Sequence, residues 1–208
     1  MKPFFYPRVG EFYEKESIKI LILGESHYCP KAELGKSCNA CEEKEKCHKW
    51  TINGLEEIIT KKNYNRSHNT YIKFEKSLSG KERFESINER RFFWGKYIMY
   101  NYVQNAQPKA RRSPLKNEFC NSQKSFFYVL EKYKPQLVIV WGKRLWNRLP
   151  KELRVCSSLG SKQTNVKEYN YTNGGKVYFT YVYHPSCQRY KWAEWAIYLA
   201  SFINKYGI

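Results

Sequence analysis

Hydrophobic residues along the chain fall into short runs that end abruptly at glycine. Residues 17–24, SIKILILG, form an apolar run rich in Ile and Leu, and residues 136–142, QLVIVWG, repeat the pattern. Apolar runs of this length, closed by glycine, are typical of strands buried on both faces of a parallel sheet. The sequence therefore predicts two interior strands, each followed at once by polar residues.

Helical spacing of apolar residues marks the segments between and after these runs. Residues 51–62, 122–135 and 189–207 place apolar side chains three or four positions apart, and a short helix is expected at 143–150. This spacing predicts amphipathic helices with one face in the core. The stretch 63–91 is polar and basic, which predicts a surface excursion, that is, a segment on the protein surface rather than in the hydrophobic core.

A hairpin is predicted near the end of the chain. In residues 166–185 two alternating arms flank Asn173, Gly174 and Gly175, which supply the turn. Strand, glycine and helix repeat along the chain, which is the unit of an α/β fold. With 208 residues, the chain is expected to form one domain over 1–208.

Polar side chains follow the predicted strands at the points where those strands end. Residues 25–27 (Glu, Ser, His) come directly after the first strand, and residues 184–186 (His, Pro, Ser) follow the last. Asn101 offers an amide within an aromatic and apolar segment. Ligands of parallel sheets bind beyond the carboxyl ends of the strands, so these groups are expected to meet over one crevice.

The charge of the chain indicates its partner. Thirty-seven Lys and Arg residues against nineteen Asp and Glu give a net charge of +18, and 17% of the residues are aromatic. The like charges on such a small domain repel one another unless a polyanion neutralises them. Aromatic rings beside cations can stack on unpaired bases. DNA or another nucleic acid is the expected partner, and no membrane contact is expected.

Four of the seven cysteines lie close together in sequence, which predicts a metal-binding loop at 29–47. The four are Cys29, Cys38, Cys41 and Cys47, and the central pair has C-x-x-C spacing. Four thiolates on one loop can surround a tetrahedral ion, so structural zinc is predicted, with His48 as a substitute ligand. The odd cysteine count, and a start without a signal peptide, favour a reducing, cytoplasmic setting.

Three other enzyme classes lack their motifs. No histidine has a glutamate two positions later, as a zinc deaminase requires. Tyr28 stands where a G-x-S-x-G hydrolase motif needs its second glycine. No G-x-x-x-x-G-K-[ST] loop is present either.

Taken together, the motifs resemble those of the uracil-DNA glycosylase superfamily. That family has a strand followed by a loop such as GQDPY or GEAPG, and ends with His-Pro-Ser after a strand. Here residues 24–28 read GESHY and residues 184–186 read HPS. Residues 97–146 are similar to the family's middle block, and the resemblance spans most of residues 18–187. It implies a three-layer α/β/α fold with a central, mainly parallel four-stranded sheet.

The resemblance also implies a reaction and roles for individual residues. The expected activity is that of a monofunctional DNA glycosylase in base-excision repair, which flips out a base and hydrolyses its N-glycosidic bond without a catalytic cofactor. Glu25 would orient water, and His184 would donate a hydrogen bond to the departing base. The substrate-binding residues would be Gly24, Ser26, His27, Tyr28, Phe74, Asn101 and Ser186. Within this set Asn101 would recognise the base edge with its amide, Tyr28 would form one wall of the pocket, and Phe74 would stack on the base.

Several features depart from the family pattern and leave alternatives open. Ser26 stands where the GQDPY version has aspartate, so the GEAPG version is the closer comparison, and His27 replaces the usual proline. Uracil is the default substrate, with another damaged or modified base as an alternative. A second alternative is a non-catalytic protein of the same fold that binds altered or single-stranded DNA.

The metal prediction also departs from the family. Some members carry a four-iron cluster with two cysteines before the first motif and two in the middle block, where this chain keeps only Cys120. An iron–sulfur cluster on the four loop cysteines is therefore the alternative to zinc. The protein is expected to be a monomer, associated with the nucleoid if the source is prokaryotic.

Overall fold

The fold is described here from a computed structural model, over residues 1–60, 68–159 and 164–207. The strands are β1 (Arg8–Val9), β2 (Ile20–Gly24), β3 (Tyr97–Asn101), β4 (Leu137–Trp141), β5 (Arg154–Leu159), β6 (Thr164–Asn170) and β7 (Lys176–Val182). The helices are α1 (Lys44–Cys47), α2 (Trp50–Thr60), α3 (Asn69–Ser79), α4 (Ile87–Gly95), α5 (Lys116–Tyr133), α6 (Lys143–Trp146) and α7 (Trp192–Tyr206). None of these helices combines the length and the apolar character needed to cross a bilayer.

One mixed sheet runs through the described part of the chain in the order β1-β3-β2-β4-β7-β6-β5. Its central strands β3, β2, β4 and β7 are parallel, while β1, β6 and β5 pair antiparallel at the two sides. The prediction of a mainly parallel α/β sheet is confirmed, but the predicted count of four strands is wrong. The hairpin partners of β7 and the short β1 extend the parallel core to seven strands, and a register shift interrupts the β5–β6 pairing at Val155/Ser157.

The two predicted interior strands, β2 and β4, form the middle of the sheet, and all their residues are buried. Their side chains alternate between two cores. Leu21 and Leu23 face the cluster that contains α5 residues, whereas Ile20 and Ile22 face the cluster built from α2, α3, α4 and α7. Helices therefore cover both faces of the sheet, which explains the absence of polar positions within these strands.

The segment predicted to be a surface excursion, 63–91, instead contributes two core helices, α3 and most of α4. Residues 63–67 lie outside the described residues. Glu75 of α3 is 2% exposed and accepts hydrogen bonds from Arg90 Nε at 3.0 Å and from Trp94 Nε1 at 2.7 Å. The prediction failed because this buried ion pair is polar in sequence, although its charges satisfy each other inside the fold.

The predicted hairpin and helices are present. Gly174 and Gly175 have φ of +84° and +81°, a conformation that glycine adopts without steric cost. The turn that they form joins β6 to β7. Helices α2, α5 and α7 cover most of their predicted segments, whereas α6 covers only the first half of 143–150. Residues 61 and 62 of the first predicted helix lie outside the described residues.

Candidate active site at the strand ends

The carboxyl ends of the parallel strands bring the predicted site residues to one edge of the sheet. Gly24 pairs with Asn101 across β2 and β3, and Trp141 pairs with Val182 across β4 and β7. Since β2 and β7 both run parallel to β4, residues that follow them emerge on the same side. The expected convergence of these segments is therefore present.

Glu25 is an enclosed acidic group at this edge. Its side chain is 8% exposed, and Arg144 Nε donates a hydrogen bond to its Oε2 at 2.7 Å. Arg144 Nη2 donates to Oε1, so the contact is bidentate. A carboxylate held in this way is compensated electrostatically, and Arg144 occupies part of its acceptor capacity.

Arg144 was missed by the sequence analysis. It lies on α6, two residues after the glycine that follows β4, and 44% of its side chain is exposed. Its sequence signal, a basic residue just past a glycine-terminated strand, does not stand out among thirty-seven Lys and Arg residues. The parallel pairing of β2 with β4 is what places it beside Glu25.

His184 is held as a neutral hydrogen-bond donor. The backbone N–H of Ser186 donates to its Nδ1 at 3.2 Å, and Ser186 Oγ lies 2.8 Å from the same nitrogen. Because a backbone N–H can only donate, Nδ1 is the acceptor and the ring proton is on Nε2. Burial, followed by the positive charge of Arg144, lowers the pKa of His184 to about 4. Near neutral pH the ring therefore offers an N–H without a positive charge.

His27 and Asn101 bind each other. Asn101 Nδ2 lies 3.0 Å from His27 Nε2, and Thr51 Oγ1 lies 2.9 Å from the same nitrogen. The His27 ring packs against Phe5 with a centroid distance of 4.6 Å, and burial lowers the pKa of His27 to about 4. Both side chains lie at the site, but the amide nitrogen predicted to read a base edge already has a partner.

Gly24 is required by this arrangement. A Cβ at position 24 would lie 2.2 Å from Asn101 Oδ1 and 3.2 Å from Met99 Cε. Any side chain there would displace Asn101 from its hydrogen bond to His27. The first glycine of the motif therefore allows β2 and β3 to approach each other at their ends.

We expect Gly24→Ala to destabilise the protein by about 1–3 kcal/mol, because the added methyl group overpacks this contact. Gly54→Ala is the matched control, since a Cβ on Gly54 within α2 meets no atom within 4 Å. That control should stabilise the protein by up to about 1 kcal/mol through helix propensity. Urea unfolding of both variants measures the difference, and equal effects would contradict the proposed steric role of Gly24.

Ser26 and Trp141 leave polar atoms unpaired near the site. Ser26 Oγ, just after β2, and Trp141 Nε1, at the end of β4, are enclosed and have no hydrogen-bond partner among the described residues. The Trp141 ring also lies 6.2 Å from the His184 ring, measured between centroids. Enclosed polar atoms are normally satisfied, so water or a ligand is the expected partner here.

The two aromatic residues of the predicted site differ in exposure. Tyr28 is 44% exposed and lies beside the motif, where it can contact a ligand. Phe74 is fully buried, with its ring centroid 4.9 Å from that of Trp141. The prediction that Phe74 stacks on a base is wrong, because its helix α3 belongs to the core and the ring has no free face.

Two surface hollows lie away from this edge. One, of about 400 Å³, is lined by residues of α3 and α4 that include Glu75 and Arg90. The other, of about 280 Å³, is lined by Arg8 and Glu56 among others. Neither is lined by Glu25 or His184.

The four loop cysteines are neighbours in space. Burial, and then the nearby thiols of Cys29 and Cys41, raise the pKa of Cys38, although the Ala106 N–H acts to lower it. Burial, and then the thiols of Cys29, Cys38 and Cys41, raise the pKa of Cys47. Ala106 N–H donates to Cys38 Sγ at 3.2 Å, a contact that suits a thiolate ligand.

Four thiols on one loop match the donor set of zinc or an iron–sulfur cluster. In the described ranges, however, no three His, Cys, Asp or Glu side chains are already arranged to hold a metal ion. A metal would have to draw the thiols together.

The cysteine loop is attached to the first motif. Cys29 N–H donates to Gln107 O at 2.8 Å, and Gln107 N–H donates to His27 O at 2.8 Å. Any change in the order of the loop therefore reaches residues 27–29 through backbone contacts.

Comparison with known proteins gives no family for this chain. No family model matches it, and no curated protein matches it significantly.

Proposed function

We propose that the protein is a DNA glycosylase that flips a damaged or modified base out of the helix and hydrolyses its N-glycosidic bond, with uracil as the default substrate. The observation that carries the proposal is the placement of Glu25 and His184 around Arg144 at one edge of the parallel sheet. The resemblance of residues 24–28 and 184–186 to glycosylase motifs supports the same proposal.

His184 is suited to stabilise the departing base. Cleavage of the glycosidic bond places negative charge on the base, and a fixed N–H donor near its oxygen lowers the barrier. With Nδ1 occupied by Ser186, the Nε2–H of His184 is the available donor. The ring is neutral near pH 7, so it donates a hydrogen bond without transferring a full charge to the site.

Glu25 is suited to stabilise the positive charge that develops on the sugar. The sugar becomes cationic as the bond breaks, and a carboxylate beside it can stabilise that charge and orient the attacking water. In this proposal Glu25 loses at least one of its contacts to Arg144 as the nucleotide enters. Base flipping and the movement of Arg144 are therefore coupled in this proposal.

DNA is the proposed partner because the net charge of +18 supplies attraction to phosphate. The energy of these contacts offsets the few kcal/mol needed to unstack one nucleotide. Ser26 Oγ and Trp141 Nε1 are unpaired polar atoms that a flipped base could satisfy.

A second function is favoured by the covered state of Glu25. In this alternative Arg144 stays on Glu25 and keeps the sugar and the water away from it, and the protein recognises altered or single-stranded DNA without cutting it. Both functions use the same surface, so they differ only in whether a product forms.

We also propose that Cys29, Cys38, Cys41 and Cys47 hold structural zinc, or an iron–sulfur cluster on the same ligands. The support is the mutual proximity of the thiols and the N–H contact to Cys38. When bound, the group would link separate turns of the 29–47 loop and take no part in the reaction. A cytoplasmic location fits these proposals.

The test is incubation of the protein with oligonucleotides that carry uracil, hypoxanthine, xanthine or modified cytosines, in single-stranded and duplex form. Alkali treatment then reveals abasic sites as strand breaks. We expect product from at least one substrate, and a Glu25→Gln variant that binds DNA but forms far less product. Binding without product from any substrate would support the non-catalytic function instead.

A further inference from the structure

Arg144 covers Glu25 but remains accessible itself. Its side chain is 44% exposed, whereas that of Glu25 is 8% exposed. Nε and Nη2 are engaged by the carboxylate, and a guanidinium has five N–H donors in all. Donors therefore remain for the first contact with a second anion that approaches from solvent, and a phosphate that then takes the Nε and Nη2 pair must displace the carboxylate.

A phosphodiester is the anion that fits this position. The guanidinium fork matches phosphate as well as it matches carboxylate, and the bonds to either are charge-assisted. Lys143, which precedes Arg144, is also exposed, and the whole chain carries +18. An approaching DNA backbone is therefore drawn to the same guanidinium that Glu25 occupies.

We infer that Arg144 binds a phosphate of the DNA backbone and releases Glu25 as it does so. The free protein then keeps its carboxylate covered, and DNA binding uncovers it. The assignment of a catalytic role to Glu25 rests on the proposed function. The exchange itself is a binding event, and it holds equally for a protein that binds DNA without cutting it.

The exchange is energetically feasible because one charged partner replaces another. A buried carboxylate left without its cation is costly, so Arg144 would not leave Glu25 for water alone. A phosphate that binds Arg144 supplies new charge-assisted bonds, which offset this cost. The ion pair therefore ties exposure of the carboxylate to the presence of DNA.

A double-mutant cycle on DNA affinity tests this inference without any catalytic readout. Glu25→Gln, Arg144→Gln and the double variant are compared with the unmodified protein, by fluorescence anisotropy on a short oligonucleotide without any damaged base. We expect Glu25→Gln to tighten binding by about 3- to 10-fold, because Arg144 is no longer occupied. Arg144→Gln should weaken binding by a similar factor and lower the salt slope by about one.

The decisive result is the double variant. If the carboxylate competes with DNA for Arg144, Glu25→Gln has no effect once Arg144 is replaced. Removal of a negative charge could also tighten DNA binding nonspecifically, but that effect would persist in the Arg144→Gln background and would overturn the inference. An unchanged affinity in the Glu25→Gln single variant would overturn it as well.

Arg148→Gln is the matched control. It removes the same charge close by, from an exposed residue for which no side-chain contact to Glu25 is present. Glu25→Gln should retain its tightening effect in this background. Arg144→Lys provides a second variant that keeps the positive charge but loses the two parallel N–H donors of the guanidinium. Circular dichroism checks that every variant is folded.

The source of the phosphate is distinguished by NMR of the Arg144 Nε–H signal. We expect the oligonucleotide to shift this signal and inorganic phosphate at the same concentration to leave it in place. An equal shift with inorganic phosphate would identify a site for a free anion and overturn the assignment to the DNA backbone. Absence of abasic product, with the double-mutant cycle as expected, would refute only the proposed catalysis.

Discussion

Replacement of His184 by alanine is expected to slow base release by about 10²- to 10³-fold, the usual effect of losing one donor to a developing anion. The contact of Ser186 N–H with Nδ1 fixes the ring proton on Nε2, so the variant loses a fixed N–H donor. Single-turnover assays on the best substrate of the oligonucleotide panel measure the loss.

Two companion variants separate this chemical role from a structural one. His184→Gln retains an N–H donor and should recover part of the rate, whereas Ser186→Ala keeps the backbone contact to Nδ1 and should have a milder effect. A His184→Ala protein that is folded and reacts at the unmodified rate would refute the role of the imidazole.

The pH dependence provides a separate check on His184. Its pKa lies near 4, because burial and Arg144 disfavour the charged ring, so it stays neutral down to about pH 5. The reaction rate should therefore show no break near the ordinary histidine value of about 6.5. In Arg144→Gln the neighbouring cation is absent, and the pKa of His184 should rise.

Loss of the metal should produce the largest change in stability. Structural zinc contributes about 10–16 kcal/mol of apparent binding energy in zinc-finger peptides, and here part of that energy would order the 29–47 loop. We expect purified protein to contain zinc or iron, and Cys41→Ser or a chelator to remove it. Thermal unfolding should then start at a markedly lower temperature.

Cys120→Ser is the control for the metal prediction, since Cys120 is an exposed thiol on α5, outside the loop. It should leave metal content and stability unchanged. Elemental analysis and the visible spectrum distinguish colourless zinc protein from a coloured iron–sulfur protein. Metal-free protein with equal stability in both variants would contradict the metal site.

Sequence patterns predicted the elements whose side chains follow a simple period. The strands β2 and β4 are unbroken apolar runs, and α5 and α7 repeat apolar residues at helical spacing. The hairpin was predicted because its turn needs glycine at positive φ. In each case the local sequence and the tertiary environment require the same residues.

The sequence did not predict features that depend on contacts between distant segments. Helices α3 and α4 bury the ion pair Glu75–Arg90. In the sequence each of these charged residues predicts an exposed position, because its partner is not known. The outer strand β5 has mostly exposed residues, so burial gave no signal for it. Glu25 and His184 could be nominated from motifs, but Arg144 acquires significance only once β2 and β4 are seen to pair.

The two margins of the sheet affect how the protein behaves at high concentration. Within the described residues, one margin is the two-residue β1, and the other is β5, where the register shift at Val155/Ser157 breaks a regular ladder. Long, straight margins recruit strands from other molecules and seed aggregates, whereas short or bulged ones do so poorly. The aggregation-prone Ile- and Leu-rich strands are thus kept in the middle of the sheet, away from the sites where fibril growth begins.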